Sequence, residues 1–242
     1  MKRLTNMNGS DGNNEQAVLA EVGRATARLI HDFKNQLGGL KLYAAYLKKR
    51  FAAHPDLTEG LEIVDKITQS INEMTENANL IGKLTRPIEL VLLETDFRSL
   101  VKQVVDQHKQ RIAERGLNVE TNLVEDSTAL QRVKLDSQQM LQAVDALVSR
   151  AVDASRENGR MQVNLQNGDG EARLSIVNES EPLSAEQHES LFQIAGSERM
   201  NKTSLNLALA RRIIEAHGGQ LAAMAVADSD LTGTEVRLTI RI

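Results

Sequence analysis

The stretch RLIHDFKNQLGGLKL, residues 28–42, decides how the first half of this chain is read. It contains no proline, and Leu29, Phe33, Leu37 and Leu40 recur at steps of three or four, the stripe of an amphipathic helix. Working outward, Val18, Val22 and Ala25 extend the stripe in one direction, and Ala44, Leu47 and Phe51 in the other. The pattern predicts one helix over residues 16–53, about 57 Å long at 1.5 Å per residue. His31 lies about 200° around the helix from both Leu29 and Phe33, so it faces outward. Its neighbours on that face are Arg24, Ala27, Arg28, Lys34, Asn35 and Gly38, so the imidazole stands among three cations and an amide. Gly38 and Gly39 each cost a helix about 1 kcal/mol against alanine. They leave the outer surface two turns below His31 bare, where another protein can approach closely.

Pro55 in AAHPD ends this helix, and Asp56 with Glu59 three residues on has the form of a capping box. A second stripe follows through Leu57, Leu61, Val64, Ile67, Ile71, Met74, Ala78 and Ile81 and stops before Pro87. Two long helices joined by a short turn form an antiparallel hairpin, here assigned to residues 16–86. A lone hairpin leaves much of its apolar surface wet. Pairing two hairpins into a four-helix bundle covers it, and so does packing on the chain's own second half; the homodimer is the expectation. Residues 1–15 are polar and read as a disordered tail, too short to hold a sensor or input domain.

After Pro87 the texture changes to short alternating elements, residues 87–242. IELVLL, LNVETNLV and RVKLD look like strands, with a helix over 97–115 after the first and another over 137–155 after the third. MQVNLQ and ARLSIVN flank the turn NGDGE, a hairpin signal. A helix over 205–216 ends at Gly218-Gly219, and QLAAMAV and EVRLTIRI close as another hairpin. The fold class is therefore a helical hairpin followed by an α/β sandwich.

Composition narrows the function. A net charge of −4 and six aromatics without tryptophan disfavour nucleic-acid binding. The absence of cysteine removes thiolate chemistry and Cys-based zinc sites and fits a cytoplasmic protein. No apolar run is long enough to span a bilayer, so no membrane association is expected. A neutral imidazole is a nucleophile at pH 7, and the cations around His31 can stabilise a phosphoryl group on it. A lone exposed histidine is equally an ordinary surface residue, and spacing alone does not choose. His54, His108, His188 and His217 read as turn, polar-run and helix-end residues without metal-ligand spacing.

HDFKN, set in the first of two long helices, resembles the H-box of two-component histidine kinases, the phosphoacceptor motif of their dimerisation and phosphotransfer domain. LDSQQMLQAVDALVSRAVDAS is similar to the N-box region of the kinase catalytic domain, which has the Bergerat ATP-binding fold. LSIVNESEPLSAEQHESLFQ is similar to its G1 and F-box region, TSLNLALARRIIEAHGGQL to the helix after the ATP lid, and GTEVRLTI to the last strand. The resemblance implies that His31 is a phosphoacceptor. It places Asp32 and Asn35 at the positions that mark autokinase and phosphatase function, and gives Lys34 and Arg28 the task of balancing phosphoryl charge. Receiver domains of response regulators are the implied partners, docking over Arg24, Arg28, Gly38, Gly39 and Leu42.

The sequence departs from that family where nucleotide would be held. Arg150 falls on the magnesium-coordinating asparagine, and a cation there repels Mg²⁺. Asn178 replaces the aspartate that accepts from adenine. Ser180 and Pro182 stand at glycines of the D-x-G-x-G pattern, and Lys202 or Thr203, Ser204 and Asn206 at those following the lid. Glycines there let the backbone approach phosphate. An intact phosphoacceptor face with a degenerate nucleotide site resembles ChpT-type histidine phosphotransferases. The expectation is a phosphorelay carrier that binds no cofactor of its own, its Mg²⁺ supplied by the receiver. An active kinase with a divergent nucleotide site, and a dimeric adaptor with an inert His31, are the alternatives. Residues 198–202 read as a lid remnant.

Overall fold

The structure, a computed structural model, describes residues 10–53, 57–124, 128–194, 201–227 and 231–242, with side chains described from Thr26 onward. His54, Pro55, Asp56 and residues 195–200, which include 198–200 of the expected lid remnant, lie outside the described residues, as does the side chain of Arg24. The chain divides into two units, Met1–Pro87 and Ile88–Ile242.

The first unit is a hairpin of α1 (Ser10–Ala52) and α2 (Thr58–Leu84). Helix α1 begins at Ser10, not Gln16. Once a helix is nucleated, each further residue adds a backbone hydrogen bond, so polar residues 10–15 extend it instead of forming a coil. Its 43 residues make it about 64 Å long. Helix α2 starts at Leu57 as N-cap, with no side-chain cap bond.

The apolar stripe of α1 divides in two. Leu37 and Ala44 turn toward α2 and pack with Val64 and Ile71, with Phe51 closing the end of this cluster. Leu29, Phe33, Leu40 and Leu47, about 40–80° around the helix, are exposed. The expectation that Leu29 and Phe33 are buried fails within one chain, because a single partner helix covers only one flank of a wide stripe. Helix α2 repeats the division: Val64, Ile71 and Ala78 are buried, while Ile63, Ile67 and Met74 are exposed.

The second unit is a two-layer sandwich. Its strands and helices follow in the order β1 (Leu93–Thr95), α3 (Phe97–Gln107), α4 (Lys109–Glu114), β2 (Asn118–Leu123), α5 (Thr128–Gln131), β3 (Val133–Leu135) and α6 (Ser137–Ala154). Then come β4 (Arg160–Gly168), β5 (Glu171–Glu179), α7 (Ala185–Ser190), α8 (Lys202–Ala216), β6 (Gln220–Ala227) and β7 (Thr232–Arg241). Five strands form one sheet in the order β2-β4-β5-β7-β6, parallel only between β2 and β4; β1 and β3 make a small antiparallel pair. Asp169 and Gly170, both at positive φ, close the β4–β5 hairpin, the backbone that a two-residue I′ turn needs.

Alternate residues of the strands face the helices. Met161, Val163 and Leu165, then Ala172, Leu174 and Ile176, then Val236, Leu238 and Ile240 are buried there. The helical layer meets them with Met140, Val144, Leu147, Leu205, Ile213 and Ile214. Helix starts are fixed chemically: Asp96 accepts from Ser99 N–H and Asp136 from Gln139 N–H. Ser184 with Gln187, and Asn201 with Ser204, form full capping boxes.

Three expectations change here. The predicted strand IELVLL is a ladder only from Leu93, because Val91 N–H donates to the Asp136 carboxylate and Glu89 C=O accepts from Gln139 Nε2. The predicted helix over 97–115 breaks at His108, whose ring is buried and hydrogen-bonded to Asp145. His188, read as a polar-stretch residue, is also buried, because the short helix α7 turns it inward beneath the chain.

Candidate functional site

Helix α1 carries His31 on the face opposite its exposed apolar stripe, with 74% of the side chain open to solvent and 73% of Asp32. Two contacts reach the ring and both meet Nδ1: Asp32 Oδ1 at 3.4 Å and Asn35 Nδ2 at 3.4 Å. These contacts exclude one another. A carboxylate only accepts, so the Asp32 contact needs Nδ1–H and leaves the Nε2 lone pair free in solvent. An amide NH₂ only donates, so the Asn35 contact needs the lone pair on Nδ1 and moves the proton to Nε2. The first tautomer has its nucleophilic atom in water; the second blunts it. Asp32 and Asn35, one and four residues on, thus set which nitrogen can react.

Arg28 and Lys34 are exposed on the same side, placed there by helical spacing. Gly38 and Gly39 have nothing within 4 Å of where a Cβ would stand, so this surface is bare. Below them Leu42 is exposed, and so is Tyr46, one turn further along the same strip and absent from the sequence-based set. Its i+4 spacing from Leu42 was the available signal. The outer strip therefore runs from an imidazole through bare backbone to two large side chains that the hairpin does not cover.

Of the residues expected around nucleotide, Lys202, Thr203 and Asn206 line a cavity of the second unit, and Asn178 and Ser180 are buried. A cavity of about 350 Å³ is lined by His108, Arg111, Asp145, Ala146, Ser149 and Asp153 on one side and Lys202, Thr203 and Asn206 of α8 on the other. Its polar groups pair with each other. His108 Nε2 lies 2.9 Å from Asp145 Oδ1, Arg111 Nη1 donates to Ser149 Oγ at 3.1 Å, and Arg111 pairs with Asp153. Spacing did not reveal this network, because its members come from two helices brought together only by folding. Ser204 is spent on the α8 capping box.

Arg150 sits one turn along α6 from Ala146. Burial pushes its guanidinium pKa down, and the Asp153 carboxylate partly opposes that shift. Asn178 and Ser180 are buried at the end of β5, across from Thr234 of β7, with Ser180 Oγ 3.4 Å from Thr234 Oγ1. Asn178 Nδ2 has no hydrogen-bond partner among the described residues. Pro182 is exposed ahead of α7. The last histidine, His217, donates from Nδ1 to Ile213 C=O and accepts from Asp136 N–H at Nε2, so it joins α8 to the start of α6 instead of serving the helix dipole as a cation.

Known proteins match this chain along most of its length. Residues 135–242 match the family described as histidine kinase-, DNA gyrase B-, and HSP90-like ATPase. Sensor histidine kinase ZraS of Klebsiella oxytoca is 25% identical over 210 residues, covering 85% of this chain and 43% of that protein. Sporulation kinase D of Bacillus subtilis (strain 168) is 22% identical over 244 residues, covering all of this chain and 46% of that protein. The chain thus spans less than half the length of these curated relatives. Among solved structures, full-length ShkA in complex with AMPPNP superposes with a TM-score of 0.65 at 21% identity, over 90% of this chain and 45% of that one. Histidine kinase ThkA in complex with response regulator protein TrrA gives 0.63 at 20% identity, over 96% and 64%. At such identity the structures speak for the fold. No helix among the described residues is long and apolar enough to cross a membrane. The chain is thus a helical N-terminal region followed by an α/β sandwich, and residues 135–242 of that sandwich match the histidine kinase-, DNA gyrase B-, and HSP90-like ATPase family.

Proposed function

We propose that this protein is a histidine phosphotransferase of a two-component relay, carrying a phosphoryl group between receiver aspartates on His31. The observation that carries the reading is the imidazole itself, exposed on a rigid helix with Asp32 and Asn35 both at Nδ1. In the Asp32-bonded tautomer Nε2 attacks the phosphorus of a receiver phosphoaspartate in line. The acyl P–O bond breaks, the aspartate leaves as carboxylate, and an N–P bond forms; Nδ1 keeps its proton against Asp32. A second receiver's aspartate then attacks phosphorus and restores the imidazole. Positioning and charge balance are the main contributions such a transfer asks of the carrier, and Lys34 and Arg28 supply the charge. The response regulator seen with ThkA supports a receiver as the partner. Receivers would dock on the strip from His31 through Gly38 and Gly39 to Leu42 and Tyr46.

The residues do not fit Mg²⁺ with nucleotide. Arg150 offers no oxygen ligand and its guanidinium repels the ion, and the neighbouring cavity is lined by groups already paired with each other. The receiver brings the metal in this reading. The exposed stripes of α1 and α2 support a homodimer whose hairpins close a four-helix bundle.

The relatives favour a second reading, an ATP-dependent kinase that phosphorylates its own His31. Radiolabel transfer separates the two. Phosphorylated receivers should label the wild type and not His31→Ala, while Mg·ATP alone labels neither. Label from Mg·ATP on His31 refutes the carrier in favour of the kinase, and equal label on His31→Ala from receivers refutes both.

A further inference from the structure

Two grooves run along the uncovered side of the hairpin, and they differ in chemistry. The lower one, about 510 Å³, is lined by Leu40, Leu47, Ile63, Ile67, Met74 and their neighbours and is almost wholly apolar. The upper one, about 530 Å³, has Leu29, Phe33 and Ile81 but also Asp32, Gln36 and Asn77. It stands level with the reactive histidine, since Asp32 forms part of its wall. Within it Asn77 Oδ1 is buried with no hydrogen-bond partner among the described residues. A buried amide oxygen left unpaired is costly, and its persistence calls for a donor from outside the chain.

We infer that a second copy of this chain closes the upper groove, and that Asn77 and Gln36 of the two copies then form a polar layer across the bundle, level with His31, which fixes the register of the dimer. The inference rests on the homodimer reading and adds to it. A lipid surface or an apolar peptide face has no donor for Asn77 Oδ1. A symmetric copy brings amide N–H groups on Gln36 and Asn77 to the same level, since a two-fold interface sets like patches against each other. One polar position in an otherwise apolar seam specifies register at a cost in stability. The lower groove, lacking such a group, tolerates sliding by a turn; the upper one does not. Holding the register there also holds the two Asp32 carboxylates at a fixed level in the bundle.

The chain has no cysteine, so single thiols placed at Ile63, Ile67, Ser70 or Met74 report register cleanly through disulfide trapping between copies. In the wild-type background one subset of positions should cross-link. With Asn77→Leu the dimer should tighten by about tenfold and exchange subunits more slowly, while cross-linking spreads to positions one turn away. Asn77→Asp, which keeps the shape but places a charge in the layer, should weaken the dimer by about tenfold at pH 8 and regain affinity as the carboxyl is neutralised. Unchanged exchange and cross-linking in both variants overturn the polar layer while leaving the dimer standing. A wild type that sediments as a monomer overturns the dimer itself.

Discussion

Replacing Asp136 should loosen the second unit by a calculable amount. This carboxylate joins separate pieces of chain: Oδ1 accepts from Gln139 N–H at 3.0 Å, capping α6, and Oδ2 accepts from Val91 N–H at 3.0 Å and Gln139 Nε2 at 3.2 Å. Its own N–H donates to His217 Nε2. Burial raises its pKa, but the hydrogen bonds from Val91 and Gln139 together overcome burial and hold the group below the ordinary carboxylate value. Asp136→Ala removes the cap, worth about 1 kcal/mol. It also removes a charge-assisted bond to Val91, and since Val91 stands largely in water, which can take over as acceptor, that loss adds only about 1 kcal/mol. A total near 2 kcal/mol, with a urea slope of about 2 kcal/mol/M, moves the unfolding midpoint by about 1 M. Asp136→Asn keeps one oxygen for the cap and should lose about half as much. The sign of the pH effect follows from the lowered pKa. The stabilisation is complete above the unfolded-state value near 4 and disappears as pH falls through the folded value, so the gap between wild type and Asp136→Ala should narrow from pH 7 to pH 3. A midpoint shift below about 0.3 M at pH 7, or a gap that widens on acidification, would refute this account of the joint.

Other outcomes follow from the same geometry. Asp32→Ala removes the acceptor that keeps the proton on Nδ1, and because that contact is long and exposed, receiver-to-His31 transfer should slow by only about three- to tenfold, the order of one modest hydrogen bond; rapid-quench labelling reads it, and an unchanged rate removes Asp32 from the mechanism. Leu40→Glu combined with Ile67→Glu puts charges on the exposed apolar stripe and should give a folded monomer by sedimentation, whereas an intact dimer would show that another face joins the copies. Gly233→Ala drives a Cβ into the backbone carbonyl of Asn178 and should destabilise the sheet by about 1–3 kcal/mol in chemical denaturation. His188→Leu removes a buried Nε2 that has no partner among the described residues and should hold or raise the melting temperature, where a clear fall would mean that the ring has a partner of its own.

Much of the architecture was legible because periodicity is local. The stripe through Leu29, Phe33, Leu37 and Leu40 needs only helical spacing, and Asp169-Gly170 announces its turn by the two residue types that tolerate positive φ. What was hidden depends on neighbours distant in sequence. Nothing in the run around His108 shows that Asp145, 37 residues on, draws its ring into the interior and breaks the helix there. Val91 reads as strand by composition, yet its N–H goes to a side chain 45 residues away. At the candidate site, His31 and its outward face follow from angles on one helix. The rivalry of Asp32 and Asn35 for a single ring nitrogen is a matter of rotamers, which a one-dimensional pattern does not carry. Arg150, Asn178 and Asn206 were grouped by resemblance, and folding sets Asn206 in a cavity wall, Arg150 on α6 and Asn178 at a buried strand end.

The openness of His31 has a kinetic meaning. A ring three-quarters in water sits in no cleft, so a labile group attached to it has no roof against hydrolysis. Its lifetime is then set by the intrinsic strength of the new bond and by how soon the next protein lands on the helix. For the carrier proposed above, traffic is a race between collision and solvent, and the concentration of the acceptor, more than the shape of the donor, decides how much cargo arrives.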